Sequence, residues 1–414
     1  MSTNKCIKKL LRLKELVVAS FHFQPSANTL HLWVKPYKNG RFCPVCNRRC
    51  RLVHTTAECR EWREPPVYGW IIKLWYKPRE ILCPKHGRIQ ERIPWADEYA
   101  RITYRFEYAM LVFCQIMTQK AAATVLKIAP STLSDLLHRA IQRIREGHKI
   151  HGLKAIGIDE VAYRKGHSYA TVVYDLDRSS VIWVGKGKGR ETIDRFFMKE
   201  LSEEQRKQIV WACCDMSETY IGAIEDHCPN ATLVLDRFHV AKALNGAVDE
   251  VRKEEWRNAP ADKRKSLKGM RWLLFLHYSN RTKKDTRTIN ALRKGNRRIH
   301  RAWVLKDEFD HFWDYKARWA AERFLKRWET TALKSRLDPI RKFVKTLRKH
   351  RHRILPYIDS GLTNAVSEGV NRIIKIVKNR ASGFHNLQAF TDIIFLTVGD
   401  VDIPGQIPAS FQAL

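Results

Sequence analysis

The chain has 414 residues, with 76 Lys and Arg against 43 Asp and Glu, and a formal net charge of +33. Hydrophobic residues make up 44%, which excludes a disordered basic tail and fits a folded protein of roughly two to four domains. The charge calls for a polyanionic partner. No apolar run approaches the roughly 18 residues that span a bilayer, so nucleic acid is preferred over a membrane.

The N-terminal text, Met1-Ser-Thr-Asn-Lys-Cys-Ile-Lys-Lys-Leu, has no long apolar stretch and no small-residue cleavage site, so the cytoplasm is expected. There the ten unevenly clustered cysteines suggest metal binding or burial, not disulfides. Residues 1–40 mix a basic helical segment with short alternating apolar text. Phe42-Cys43-Pro44-Val45-Cys46 and Leu82-Cys83-Pro84-Lys85-His86 then form two knuckles with strand-like text between them. Each knuckle places two ligands on one ion, and tetrahedral zinc needs four, so Cys43, Cys46, Cys83 and His86 are expected to hold structural Zn²⁺ in a zinc ribbon. Cys50, His54 and Cys59 are alternatives to His86. Arg48, Arg49, Arg51 and Arg60 would face phosphates. This gives a zinc-ribbon DNA-binding domain over 1–98.

Over 99–150 a helix-turn-helix is expected. Gln119–Leu126 reads as the first helix, Lys127–Pro130 as the turn, and Ser131–Arg143 as the second helix with Ser131 as its N-cap. Ala123, Ile128, Leu133 and Leu136 would bury between the helices. Thr132, Ser134, Asp135 and Arg139 would be open to a major groove.

The span 151–240 reads as three closely joined strands carrying Asp159, then a helix over 191–208. A fourth strand follows that runs into Asp215, then a helix over 219–227 and a fifth strand before Asp236. That order is the one found in a ribonuclease-H-like sheet, in which the first and fourth strands are central neighbours. Residues 241–355 read as a basic helical insertion, with 31 Lys and Arg against 13 Asp and Glu in 241–350. Residues 356–400 return to the core with a helix bearing Glu368, and 401–414 form a tail. The fold class is therefore α/β, with a large helical insertion.

An acid ending an apolar strand needs a cation nearby. Asp159, Asp215 and Glu368 together make an oxygen ligand set for two Mg²⁺ (or Mn²⁺) ions on a phosphodiester. Asp236 also ends a strand; Asp215 is preferred as the second ligand, with Asp236 and His239 accessory and an N-cap role the alternative for Asp236. Asn364, Asn371 and Lys375 share a face with Glu368. Asn371 is accessory, and Arg372 and Lys375 are expected to grip DNA. Most of Trp256, Trp272, Trp303, Trp313, Trp319 and Trp328 would be core, with one or two open to an extruded base.

Gly157-Ile-Asp-Glu160, Lys165-Gly-His167, Asp236-Arg-Phe-His-Val240, Glu368-Gly-Val-Asn-Arg-Ile-Ile-Lys375 and Arg380-Ala-Ser-Gly-Phe384 together resemble bacterial insertion-sequence transposases of the ISL-three family. The resemblance covers nearly the whole chain. It implies an Asp-Asp-Glu transposase with a ribonuclease-H-like core, acting on the terminal inverted repeats of its own element and on target DNA. Carried over, the acids are Asp159, Asp215 and Glu368. It further implies a homodimer or higher oligomer on paired DNA ends, in the bacterial cytoplasm at the nucleoid. His86 departs from the pattern, since related proteins usually end that knuckle in Cys. Two rivals are a zinc-ribbon and helix-turn-helix regulator, which has no need of the three acids, and a ribonuclease-H-like nuclease, which rarely carries such an insertion. Lys186-Gly-Lys-Gly-Arg190 lacks the ending of a phosphate-binding P-loop.

Overall fold

Alternating burial sets the N-terminal strands: Leu30, Leu32 and Val34 are buried, while Trp33 and Lys35 between them are exposed. The computed structural model describes residues 3–13, 16–36, 41–147, 150–164, 166, 168–360, 365–384 and 386–399, without the side chains of 263 and 365–368. Its contacts divide the chain into two units, residues 1–149 with 376–414, and residues 150–375.

In the first unit helix α1 (Thr3–Leu10) precedes strands β1 (Leu16–Gln24), β2 (Thr29–Pro36), β3 (Arg51–Thr55), β4 (Arg60–Val67), β5 (Trp70–Tyr76), β6 (Arg79–Cys83) and β7 (Gly87–Gln90). They form two sheets, ordered β1-β2-β5-β4 and β3-β6-β7. The strand-like text between the knuckles is therefore only partly ribbon. The hairpin β4–β5 turns at Tyr68 and Gly69, both at positive φ. It buries Trp62, Ile72 and Leu74 with Leu30, Leu32 and Val34 in a core of its own. Three helices follow, α2 (Tyr104–Ile116), α3 (Gln119–Leu126) and α4 (Pro130–Gly147). Thr103 and Thr118 cap the first two. The chain leaves α3 through Lys127 at φ 54°, whose N–H bonds back to Ala123 and Thr124.

Two sequence expectations are corrected here. α4 starts at Pro130, and Ser131 sits in its first turn and is not a cap, because Pro is preset for a first helical position and Leu133 N–H already bonds Ala129 O. Leu137, not Leu136, fills the core, since the buried stripe runs Leu133, Leu137, Ala140, Ile141 and Ile144.

In the second unit β8 (Ala155–Arg164), β9 (Ser168–Asp175) and β10 (Ser180–Lys186) lead to α5 (Arg190–Lys199), α6 (Glu203–Gln208), β11 (Trp211–Cys214), α7 (Glu218–His227) and β12 (Thr232–Leu235). The sheet order is β10-β9-β8-β11-β12, with β9 antiparallel and β11 parallel to the central β8. The single helix expected over 191–208 is two helices, because Ser202 and Gln205 form a reciprocal capping box that starts α6.

The insertion is helical: α8 (Arg237–Asn258), α9 (Ala261–Gly269), α10 (Arg271–Phe275), α11 (Lys283–Gly295), α12 (Arg297–Asp310), α13 (Arg318–Lys334), α14 (Asp338–Ile354) and α15 (Pro356–Ser360). Its apolar residues join those of the sheet in one core, and α14 lies against α8 and β12. Its buried charges are paired, Lys306 with Asp310 at 2.6 Å and Arg252 with Asp249 at 2.7 Å.

Helix α16 (Ala365–Arg380) ends the second unit at Lys375, and its last residues count with the first unit, as does α17 (Leu387–Val398). α17 packs on α4 and α2. There Asp392 meets His138 at 3.2 Å, and Arg380 donates to Gln115 O at 2.6 Å. The tail 401–414 lies outside the described residues. Among those described, no helix is long and apolar enough to cross a membrane.

Candidate active site, cysteine knuckles and DNA-binding helices

Strand register aligns three aspartates. Ile158, Cys214 and Leu235 are cross-strand partners on β8, β11 and β12, so the next residues, Asp159, Asp215 and Asp236, lie side by side. Asp215 and Asp236 follow the ends of their strands, whereas Asp159, expected to close an apolar strand, sits in the middle of β8, which runs on to Arg164. Pairing of β8 with β11 makes Asp159 and Asp215 immediate neighbours. Asp159 is the most elaborately held. Its Oδ1 accepts the Glu160 N–H at 2.7 Å, and its Oδ2 accepts Asn371 Nδ2 from α16 at 2.7 Å. Asn371 Oδ1 in turn accepts the Tyr174 hydroxyl at 2.6 Å. Burial pushes the Asp159 carboxyl up and the nearby Asp215 adds to it, while the Glu160 N–H, His239 and Asn371 pull the other way. Burial and the Asp159 charge hold Tyr174 well above its ordinary value, so it stays a phenol and a donor.

Asp215 Oδ1 accepts the Ser217 N–H at 2.9 Å. Asp236 is the N-cap of α8, accepting the Phe238 N–H at 3.0 Å, and His239 Nε2 lies 3.6 Å from its other oxygen. Both carboxylates thus accept the backbone N–H two residues on, and that of Asp236 alone is a helix N-cap. Glu160 faces Lys188 at 3.7 Å. Glu368 falls on α16 one turn before Asn371, and its side chain lies outside the described residues, as do Asn364, Lys165 and His167. Arg372 and Lys375 are exposed.

Tyr174 was missed in the sequence. The available signal was a tyrosine following two valines in a strand, whose hydroxyl must find a partner once it is buried. Gly157, its cross-strand partner on β8, has no side chain beside it.

The knuckles converge. The ligand atoms of Cys43, Cys46, Cys83 and His86 lie within 4.8 Å of one another, the one such cluster among the described residues. His86 Nδ1 is 3.5 Å from both the Cys43 and the Cys83 sulfur. Burial opposes ionisation of Cys83, but the backbone N–H groups of Lys85 and His86 bring its thiol down to about 6. Three sulfurs and an imidazole suit a tetrahedral soft-ligand metal. His54 is engaged instead with Glu80 at 3.1 Å, and the Cys50 thiol points to Arg48 O at 3.2 Å. Arg48, Arg49 and Arg51 are exposed. Arg60 departs from the expectation, because it donates to Ala100 O at 3.0 Å and lies over the Trp62 ring.

On α4, Thr132, Asp135 and Arg139 are exposed and Ser134 is half-buried. In the insertion, Arg293, Lys294, Arg297, His300 and Arg301 line a basic cleft of about 540 Å³. Trp303, Trp313 and Trp328 are buried, whereas Trp272 and Trp319 are each 71% exposed.

Comparison with known proteins agrees with this arrangement. Residues 91–141 match the helix-turn-helix domain of transposase family ISL3, and residues 156–394 match the transposase domain of that family. The chain is 31% identical over 369 residues to the transposase for insertion sequence element IS1001 of Bordetella parapertussis, covering 87% of this chain and 90% of that protein. It is 25% identical over 382 residues to the transposase for element IS1557 of Mycobacterium tuberculosis, covering 86% of each. These matches along most of its length, over a chain that holds a helix-turn-helix and three neighbouring aspartates on one sheet, make it a member of the ISL3 family of insertion-sequence transposases.

Proposed function

We propose that this protein cuts DNA at the terminal inverted repeats of an insertion sequence and joins the freed ends to target DNA, using divalent cations at a ribonuclease-H-like core. The observation that carries the reading is the junction of Asp159, Asp215 and Asn371. Two carboxylates are neighbours on adjacent strands, and Asn371 fastens the Glu368-bearing helix to one of them. The sheet order, with three antiparallel strands followed by two parallel ones, supports the ribonuclease-H-like assignment. The helix-turn-helix supplies DNA binding.

Asp159 and Asp215, with Glu368 as third partner, would hold Mg²⁺ or Mn²⁺. Burial, and to a lesser degree Asp215, pushes the Asp159 carboxyl up, so a divalent cation there would offset a charge that its hydrogen bonds only partly compensate. When bound, two such ions lower the pKa of an attacking water or hydroxyl and offset charge on the leaving oxygen. The Tyr174–Asn371 relay fixes the Asp159 carboxylate in one orientation. The reaction is in-line substitution at phosphorus. Water first releases a 3′-hydroxyl at the element end, and that hydroxyl then attacks a target phosphodiester as the target's own 3′-oxygen leaves. No protein–DNA bond is formed. Cys43, Cys46, Cys83 and His86 would hold a structural Zn²⁺, and paired DNA ends call for a dimer or larger assembly.

The test is Mg²⁺- or Mn²⁺-dependent cleavage of repeat-ended DNA by the wild type and by Asp159→Asn, Asp215→Asn, Glu368→Gln and Asp236→Asn. The first three are expected to bind the repeats and not cut. Asp236→Asn is expected to keep measurable cutting, because asparagine also caps helices. Binding by the wild type without cutting in either metal would refute the reading and leave a DNA-binding regulator.

A further inference from the structure

The outer face of the β1-β2-β5-β4 sheet carries aromatic rings where a sheet exposed to water usually carries polar residues. Trp33 on β2 and Trp75 on β5 are cross-strand partners, nearly parallel at 20° with centroids 6.5 Å apart. His31 lies beside both, at 25° to Trp75. The Trp75 indole N–H donates to His31 Nδ1 at 2.9 Å, and His31 Nε2 faces Gln24 Oε1 at 3.1 Å. That network needs a neutral imidazole with its proton on Nε2, and burial together with Lys73 keeps the His31 pKa low. The hydrogen bond and the small angle between the two rings hold them together as one aromatic tile. Trp33 remains 37% exposed. Trp33 and Trp75 line a cavity of about 460 Å³ whose rim includes Lys35 and Lys77, both exposed.

We propose that this tile is a stacking platform for unpaired bases of single-stranded DNA, with Lys35 and Lys77 on the phosphates. A flat aromatic face rewards the π-face of a base, which a paired duplex hides in its stack. The two lysines have the sign a nucleic-acid backbone requires, and each lies two residues past its tryptophan on parallel strands, so both stand at one end of the ring pair. Ordinary cross-strand packing would account for the Trp33–Trp75 pair but not for its exposure beside two cations. The platform lies outside the acidic site, so a cleavage-dead Asp159→Asn protein retains it.

The experiment uses the full-length, zinc-loaded protein. Binding of a labelled oligothymidine, an oligouridine and a repeat-free duplex of equal length is measured for the wild type, Trp33→Ala/Trp75→Ala, Trp33→Phe/Trp75→Phe and Lys35→Ala/Lys77→Ala. The alanine pair is expected to weaken oligothymidine binding by at least about tenfold and leave the duplex unchanged. The phenylalanine pair should restore most of the loss, and the lysine pair should flatten the salt dependence by about one phosphate contact or more. Photocrosslinking of an iododeoxyuridine oligomer to the wild type should modify the peptide containing Trp33 or Trp75. This readout stands even where the alanine pair fails to fold. Unchanged single-strand binding in a folded alanine pair, an equal loss on duplex, a preference for oligouridine, or crosslinks only elsewhere would overturn the proposal. So would a shift in oligomeric state with DNA binding intact, which would assign the face to a second copy of the chain.

Discussion

At the scale of single residues, the acids were legible in the sequence because a carboxylate closing an apolar run stands out against its neighbours, although β8 itself runs on past Asp159 to Arg164. Asp159 and Asp215 were found that way. The relay behind Asp159 was not, because Tyr174 and Asn371 are 197 positions apart and neither is unusual in its own local text. Asn371→Ala would strand the buried Tyr174 hydroxyl and remove a donor from Asp159, at roughly 1–3 kcal/mol. We expect a lower melting temperature and a larger fall in kcat than in repeat-DNA affinity, measured by thermal unfolding and single-turnover cleavage. Tyr174→Phe should keep Asn371 on Asp159 and lose less. An equal loss in both variants would mean that the hydroxyl, not the amide, positions the carboxylate.

At the scale of elements, helix and strand types were readable from periodicity, whereas their ends and partners depended on capping and on distant text. Ser202 split one expected helix, and Pro130 displaced Ser131 at the start of α4. The knuckles were clear from their spacing. That β4 and β5 leave the ribbon for another sheet was not, since strand text does not name its neighbour. Chelation should release one zinc per chain and cost the β3-β6-β7 sheet its order, seen as lost amide protection there. His86→Cys should keep the metal, whereas Cys83→Ser should lose it. Asp392 on α17 offers a pH test. Burial pushes its carboxyl up, although His138 and Gln388 hold it back. The stability that protonated Asp392 lends is therefore fully present below its unfolded pKa and lost as pH rises through its folded pKa. Asp392→Asn keeps an acceptor for Gln388, so its melting temperature should match or exceed the wild type at pH 8, with the advantage vanishing toward pH ~4. A variant less stable than wild type at pH 8 would show that the bonds from His138 and Gln388 to the carboxylate outweigh its burial.

At the scale of the whole molecule, charge was the most direct guide, and it predicted a polyanionic partner before any element was assigned. The helical insertion concentrates that charge, and its basic cleft gives a measurable consequence. Arg293, Lys294 and Arg297 changed together to Gln should reduce the slope of log affinity against log salt for duplex DNA by about 2–3. Cleavage at low salt should persist. An unchanged slope would remove the cleft from the DNA path. What composition and motifs could not reveal is that residues 376–399 count with the N-terminal unit, because membership in a unit depends on contacts between the two ends of the chain.

That last feature bears on the order of synthesis. A ribosome makes the cysteine knuckles and both helices of the helix-turn-helix well before α17, which packs on α4 and α2 but begins only at Leu387. A nascent or prematurely terminated chain thus carries recognition helices that lack their C-terminal support. Unfinished copies should then be poor competitors for the element's ends, and a chain stopped at Lys375 is expected to retain repeat DNA far less well than the full-length protein in a pull-down.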